Sequence, residues 1–165
     1  MKKRDIVIGL VVLLLLAGVI YWRQRVEKPE EIKIPETLST EDKIEERFNV
    51  QIPENVEKAE LKDVSGSNAS GIATRKFENG EFELGILADL PTPETGEFYQ
   101  GWVNKGEEGK EDYRILTLGK LRIAKGGYLL DFKSSTDYTD YNKVVVSLEK
   151  TLSSAPDRLI LEGSF

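Results

Sequence analysis

The stretch IATRKFENGEFELGILADL, residues 72–90, decides the fold class. After Asn79-Gly80 the residues Phe82, Leu84, Ile86, Ala88 and Leu90 alternate with Glu81, Glu83, Gly85, Leu87 and Asp89. A period of two puts one set on a buried face and the other towards water or a second layer. Asn-Gly between two such runs is the strongest short-range signal for a hairpin, because a two-residue turn of the favoured hand needs positive φ at both central residues. Ile72–Phe77 and Glu81–Leu90 are therefore expected to pair antiparallel.

Working outward, the same alternation returns at Tyr128, Leu130 and Phe132, at Val144, Val146 and Leu148, and at Leu159, Leu161, Gly163 and Phe165. Turn signals separate the runs: Ser65-Gly66-Ser67-Asn68, Pro91-Thr92-Pro93, Gly106 to Gly109, and Gly126-Gly127. The last is expected to close a second hairpin between Leu116–Ile123 and Tyr128–Phe132. Ser39 to Phe48 breaks the pattern. Ser39 and Asp42 resemble a capping pair, and Glu41 and Asp42 suit the positive end of a helix dipole. Ile44 and Phe48 share one face, so this short helix should pack on the sheet. Seven or eight short strands and one helix predict a mainly β domain, an antiparallel β-sandwich, over residues 39–165.

Ile6 to Trp22 is an uncharged run of seventeen residues, twelve of them Ile, Val or Leu between Ile6 and Ile20. As a helix it would span about 25 Å, near the short end for a bilayer core. Tyr21 and Trp22 suit the interface, and Arg23 and Arg25 can snorkel to head groups. The expectation is a single transmembrane helix over residues 6–22. A stub of residues 1–5 would lie inside, and residues 23–38, with Pro29 and Pro35, would form a spacer. The domain would then sit outside the cytoplasm. A cleaved signal peptide is the competing reading, though no small-x-small site follows the run. The net charge is −6: residues 1–29 carry +4, so the remainder carries −10. An acidic domain repels phosphate backbones, which argues against nucleic acid as a partner.

Three segments carry a resemblance. Tyr99-Gln100-Gly101-Trp102-Val103, Val144-Val145-Val146-Ser147-Leu148-Glu149, and Ala155-Pro156 through Leu161-Glu162-Gly163 together resemble the carboxy-terminal domain of the anti-sigma-K factor RskA family. The resemblance covers roughly residues 80–165. It implies a bacterial, extracytoplasmic β-sandwich behind one transmembrane helix. Two features depart from the family. Five residues before the apolar run are too few to clasp a sigma factor, and Lys150-Thr151-Leu152-Ser153 stands where the family often has Gly-Gly-Ser. The resemblance thus bears on fold and placement, and an anti-sigma pathway would have to act through a separate partner.

The chain has no Cys and no His, so disulfides, thiolate nucleophiles, imidazole ligands and His-based triads are excluded. Gly106-Glu107-Glu108-Gly109-Lys110-Glu111 lacks phosphate-loop spacing, and its glutamates would repel phosphate. Lys133-Ser134-Ser135 reads as a solvated turn rather than a Ser-Lys dyad. Asp131, Asp137 and Asp140 are oxygen-rich but do not match a calcium loop. Glu81, Glu83, Asp89 and Glu149 are glycosidase carboxylates by type only. No catalytic residue, cofactor or metal is expected. The candidate recognition residues are the aromatics Trp102, Tyr99, Tyr138 and Tyr141. Tyr99 and Trp102 point to opposite sides of their strand, so one is core; either the other is an exposed recognition surface, or both rings are covered by the second sheet and the short helix. The expected function is a non-catalytic envelope module, binding the bilayer through Ile6 to Trp22 and an envelope protein or glycan through the domain. A regulatory or sensory component of anti-sigma signalling is the alternative, and a carboxylate hydrolase a third reading.

Overall fold

The computed structural model describes residues 38–165. The transmembrane segment expected at 6–22, the stub and the spacer up to residue 37 lie outside the described residues. Among the described residues no helix is long and apolar enough to cross a membrane.

One helix and nine strands follow in order: α1 (Thr40–Phe48), β1 (Glu57–Asp63), β2 (Ser70–Glu78), β3 (Glu81–Asp89), β4 (Phe98–Lys105), β5 (Arg114–Lys120), β6 (Arg122–Ala124), β7 (Gly127–Ser134), β8 (Lys143–Glu149) and β9 (Arg158–Ser164). The β2–β3 hairpin forms as the sequence predicts. Glu78 pairs with Glu81 around Asn79 (φ 54°) and Gly80 (φ 80°). The second hairpin is shifted by one residue. Ala124 pairs with Gly127, so the turn is Lys125-Gly126, with Gly126 at φ 96° and Gly127 already in the strand. The run Leu116–Ile123 is also not one strand. It breaks at Leu121, which is buried and donates its N–H to the Tyr99 carbonyl at 2.9 Å. β5 before the break pairs with β4, and β6 after it pairs with β7.

The domain is mainly β and antiparallel with one short helix, as expected. Its ladder runs without interruption through nine strands in the order β5-β4-β8-β9-β1-β2-β3-β7-β6. The two layers anticipated as separate sheets are thus parts of one nearly closed sheet. Strand twist and two bulges supply the curvature. One bulge places Leu118 as an extra residue opposite Gly101 and Trp102; the other places Ile160 opposite Val146 and Ser147.

Inside the curl, Phe82, Leu84 and Ile86 of β3 and Leu130 of β7 meet Tyr99 and Val103 of β4 and Val144 and Val146 of β8. Gly101 marks the closest approach of the two layers. A Cβ there would stand 2.9 Å from Leu130 Cδ1 and 3.2 Å from Ile86 Cδ1. Arg75, on the inner face of β2, seals one end. Its guanidinium donates to Glu57 at 2.7 Å and to the Tyr141 carbonyl at 2.8 Å, and it lies over the Phe165 ring.

The helix covers the outer face of β2 and β3. Ser39 and Asp42 make the expected capping box. Ile44 and Phe48 pack on Ile72, with Ile52 completing the cluster and Leu87 against its margin. Arg47 fixes the far end by donating to the Gly126 carbonyl and pairing with Asp89 at 2.8 Å.

Two outcomes follow from this packing. Gly101→Ala should cost about 1–3 kcal/mol through overpacking, read from urea denaturation; an unchanged midpoint would show that β4 does not press on β3 and β7. The second concerns Glu83, which lies between Lys133 and Lys76, whose hydrogen bonds hold its pKa at about 2 instead of 4.5. A carboxyl with a depressed folded-state pKa stabilises the fold above its unfolded pKa, and that contribution disappears as pH falls through the folded value. Stability should therefore decline from pH 4.5 towards about 2, and less steeply in Glu83→Gln.

Candidate functional site

The site grows from the outer faces of β4 and β8. On β4, Tyr99, Gly101 and Val103 point inward, which turns Gln100, Trp102 and Asn104 outward. On β8, Val144, Val146 and Leu148 point inward and Val145, Ser147 and Glu149 outward. In a sheet with one wet face these outward residues would be solvated. Here all six are buried, Trp102 and Glu149 to within 1% of full burial. A second covering layer therefore lies over this part of the sheet.

That layer is anchored by a chain of hydrogen bonds. Trp102 Nε1 donates to Ser147 Oγ at 2.8 Å, and the Ser147 hydroxyl donates to Glu149 Oε1. The same Glu149 oxygen accepts the backbone N–H of Asp157 at 2.9 Å. The Ser153 hydroxyl lies 3.1 Å from Glu149 Oε2 and 2.6 Å from the Ala155 carbonyl. A buried carboxylate without such partners would be costly, so these contacts hold the segment 150–157 down on the sheet.

Beside the anchored segment lies a groove of about 580 Å³. Its floor crosses four neighbouring strands through Ile115, Asn104, Val145 and Leu159. Glu107 and Glu108 of the β4–β5 loop stand on one side, and Pro156 and Asp157 of the anchored segment on the other. Asn104 Oδ1, inaccessible to water, has no hydrogen-bond partner among the described residues. Gln100 Oε1 is in the same condition, and each such buried amide oxygen costs about 1–3 kcal/mol.

The sequence-predicted recognition residues fall elsewhere. Tyr99 is core: its ring meets Tyr128 edge-on at 5.0 Å and its hydroxyl donates to the Pro91 carbonyl at 2.9 Å. Burial pushes its phenol pKa up. Trp102 lies under the covering layer. Neither ring offers an exposed recognition face: both are covered, but the short helix expected to help cover them packs on β2 and β3 instead. Tyr138 and Tyr141 are half-buried and stack edge-on at 5.4 Å. Tyr138 also meets Phe82 at 5.7 Å, and Tyr141 carries the Lys105 ammonium over its face. The four aromatics do not converge.

The acidic candidates are similarly occupied. Glu81 and Glu83 pair with Lys133, Asp89 with Arg47, and Glu149 belongs to the anchor. Asp131 pairs with Arg122, Asp140 with Lys105, and Asp137 accepts from the Thr139 N–H. Among the described residues no three acidic side chains converge to hold a metal ion. A smaller hollow of about 280 Å³ lies over β2, β3 and β7, but its Lys76 and Lys133 are both paired, Lys76 with Glu83 and Lys133 with Glu81 and Glu83.

No family model, curated protein or solved structure matches this chain. The chemistry therefore has to be read from the groove. Sequence reasoning missed Asn104, although a signal was present: Gln100, Trp102 and Asn104 form a polar and aromatic row opposite core positions.

The anchor makes its own prediction. Ser147→Ala removes both the acceptor for Trp102 and the donor to Glu149, and should cost about 1–3 kcal/mol. Glu149→Gln keeps an acceptor for Ser147 and Asp157 and should cost less. Hydrogen exchange at the Asp157 amide should accelerate in Ser147→Ala; an unaltered rate would show that Glu149 does not hold the segment.

Proposed function

We propose that residues 38–165 are a non-catalytic binding module of the cell envelope, carried outside the cytoplasm on Ile6 to Trp22, with the groove over β4, β8 and β9 as its recognition surface. One observation carries the reading: the groove has a volume within the usual range for ligand sites and a partly exposed apolar floor at Leu159. The residues behind the RskA resemblance, Tyr99 to Val103 and Val144 to Glu149, lie on β4 and β8, the strands that form much of that floor. The occupied state of Glu81, Glu83, Asp89 and Glu149 supports binding over carboxylate-driven hydrolysis. The uncharged run of seventeen residues supports membrane attachment.

Two measurements test the reading. In spheroplasts the full chain should sediment with membranes and lose its domain to external protease; recovery from the aqueous fraction would overturn the placement. In amide-resolved NMR of the full chain in phosphatidylcholine nanodiscs, a small-fragment library should shift Asn104, Ile115, Val145 and Leu159 together. Shifts scattered over the surface would remove the groove as the recognition site.

A further inference from the structure

Strand direction gathers several connections at one end of the domain. β1, β3 and β8 finish there, and β2, β4, β7 and β9 begin there. The loops 64–69, 90–97 and 150–157 lie at this end, together with β6 and its turn into β7. We propose that this end is a second binding surface, which docks on a lipid bilayer bearing anionic headgroups, with Ile123 and Leu152 entering the headgroup layer. The inference goes beyond the binding-module reading, and its bilayer is the one to which that reading attaches the chain.

Exposed apolar side chains converge here. Among the described residues Ile123 and Leu152 are the most exposed large hydrophobic side chains, at 78% and 73%, and Val64 is half exposed. Single exposed hydrophobics are ordinary on any surface. These three come from three different connections that the sheet brings to one end. The rim from Ile123 to Leu152 is also continuous. Leu121, just before β6, donates its N–H to the Tyr99 carbonyl, and the Lys120 ammonium lies 3.6 Å over the Phe98 ring. Phe98 pairs with Glu149, after which the segment carrying Leu152 begins.

Cations surround the apolar tips. Lys120 and Lys125 stand on either side of Ile123 and form no ion pair among the described residues. Arg122 is exposed and pairs with Asp131. Lys150 and Arg158 bracket the segment carrying Leu152 and share one carboxylate, Glu97, at 3.9 and 4.0 Å; its side chain is only 11% exposed. In these connections the exposed acids are Glu94 and Asp157. The opposite end has the other sign: the β4–β5 loop there holds Glu107, Glu108, Glu111 and Asp112 against Lys110. An anionic surface therefore attracts one end of the domain and repels the other.

A bilayer accepts both features at one depth. Apolar tips reach the acyl boundary, while long cationic side chains meet the phosphates above it. Neither Ile123 nor Leu152 lines the groove or the smaller hollow. Projecting tips of this kind suit a deformable surface rather than a small ligand.

The test places the full chain, one per disc, in nanodiscs of phosphatidylcholine alone or of equal parts phosphatidylcholine and phosphatidylglycerol. A trace of lipid carries a spin label on its acyl chain, and amide relaxation reads the depth of each loop. In the anionic discs relaxation at Val64, Ile123 and Leu152 should exceed that at Gly80 and Glu108 by at least about threefold, and the excess should shrink in neutral discs and at high salt. The double variant Ile123→Glu with Leu152→Glu, at two exposed positions, should abolish the excess while the amide shifts of β3 and β8 stay in place. Phe77→Glu, near the opposite end, should leave it unchanged. Relaxation that is uniform over the domain, or greatest at Gly80 and Glu108, or an excess that survives in the double variant, would overturn the docking while leaving membrane attachment of the chain intact. An equal excess in neutral discs would overturn the anionic-headgroup assignment. Effects at Ile123 and Leu152 that arise only when two chains share a disc would make the occupant a second copy and overturn the lipid assignment. A chain that associates with neither disc would overturn both this inference and the membrane attachment.

Discussion

Everything in this domain depends on the close approach of β4 to β3 and β7 at Gly101. A nine-stranded antiparallel ladder can lie open, but this sheet has an inner face made of large apolar residues along most of its strands. That face can be dried only by folding the sheet over itself. The approach is tight enough that a single methyl on Gly101 would intrude on Leu130. Once β4 is fixed there by its odd-numbered residues, its even-numbered residues must point outward. Gln100, Trp102 and Asn104 then have to be covered, hydrated or paired, and this demand creates the second layer.

The second layer is built by loops rather than strands. Segment 150–157 has no ladder of its own, and its attachment comes through the Trp102–Ser147–Glu149 chain. A buried carboxylate is an expensive anchor. It is tolerable here because a hydroxyl and a backbone N–H both donate to it. The geometry of that attachment leaves a gap between the anchored segment and the β4–β5 loop. The groove is therefore a consequence of how the outer face is covered, and two amide oxygens, of Gln100 and Asn104, stay unpaired beneath that cover.

Local order was legible in the sequence, and long-range covering was not. The capping box at Ser39, the Asn79-Gly80 turn and the inward set of β3 depend on residues close along the chain, so propensity and period expose them. Leu87, the apolar residue in the polar register of β3, was a mark of the helix that packs outside it. The Lys125-Gly126 turn was displaced by one residue because the two glycines serve different ends. Gly126 takes positive φ, whereas Gly127 passes so near Ala88 that a Cβ would lie 2.5 Å from its carbonyl oxygen. The fate of Trp102 could not be read locally, because an outward aromatic is exposed or buried according to a loop fifty residues away. Val144-Val145-Val146 did hold a clue: an unbroken apolar run suits a strand covered on both faces.

Charge placement follows the same division between sheet and loops. On the sheet, acids and bases face one another across strands, as Glu83 does with Lys76 and Lys133, and Lys143 with Glu162. Such cross-strand pairs favour the register that brings them together. At the groove rim, Glu107, Glu108 and Asp157 sit in loops, where no strand partner lies opposite. Their mutual repulsion stabilises nothing in the fold, and it is screened only where water and salt reach. Among the described residues Glu46, Glu54 and Glu94 likewise form no ion pair, so acids outside the strand ladders generally stay solvated.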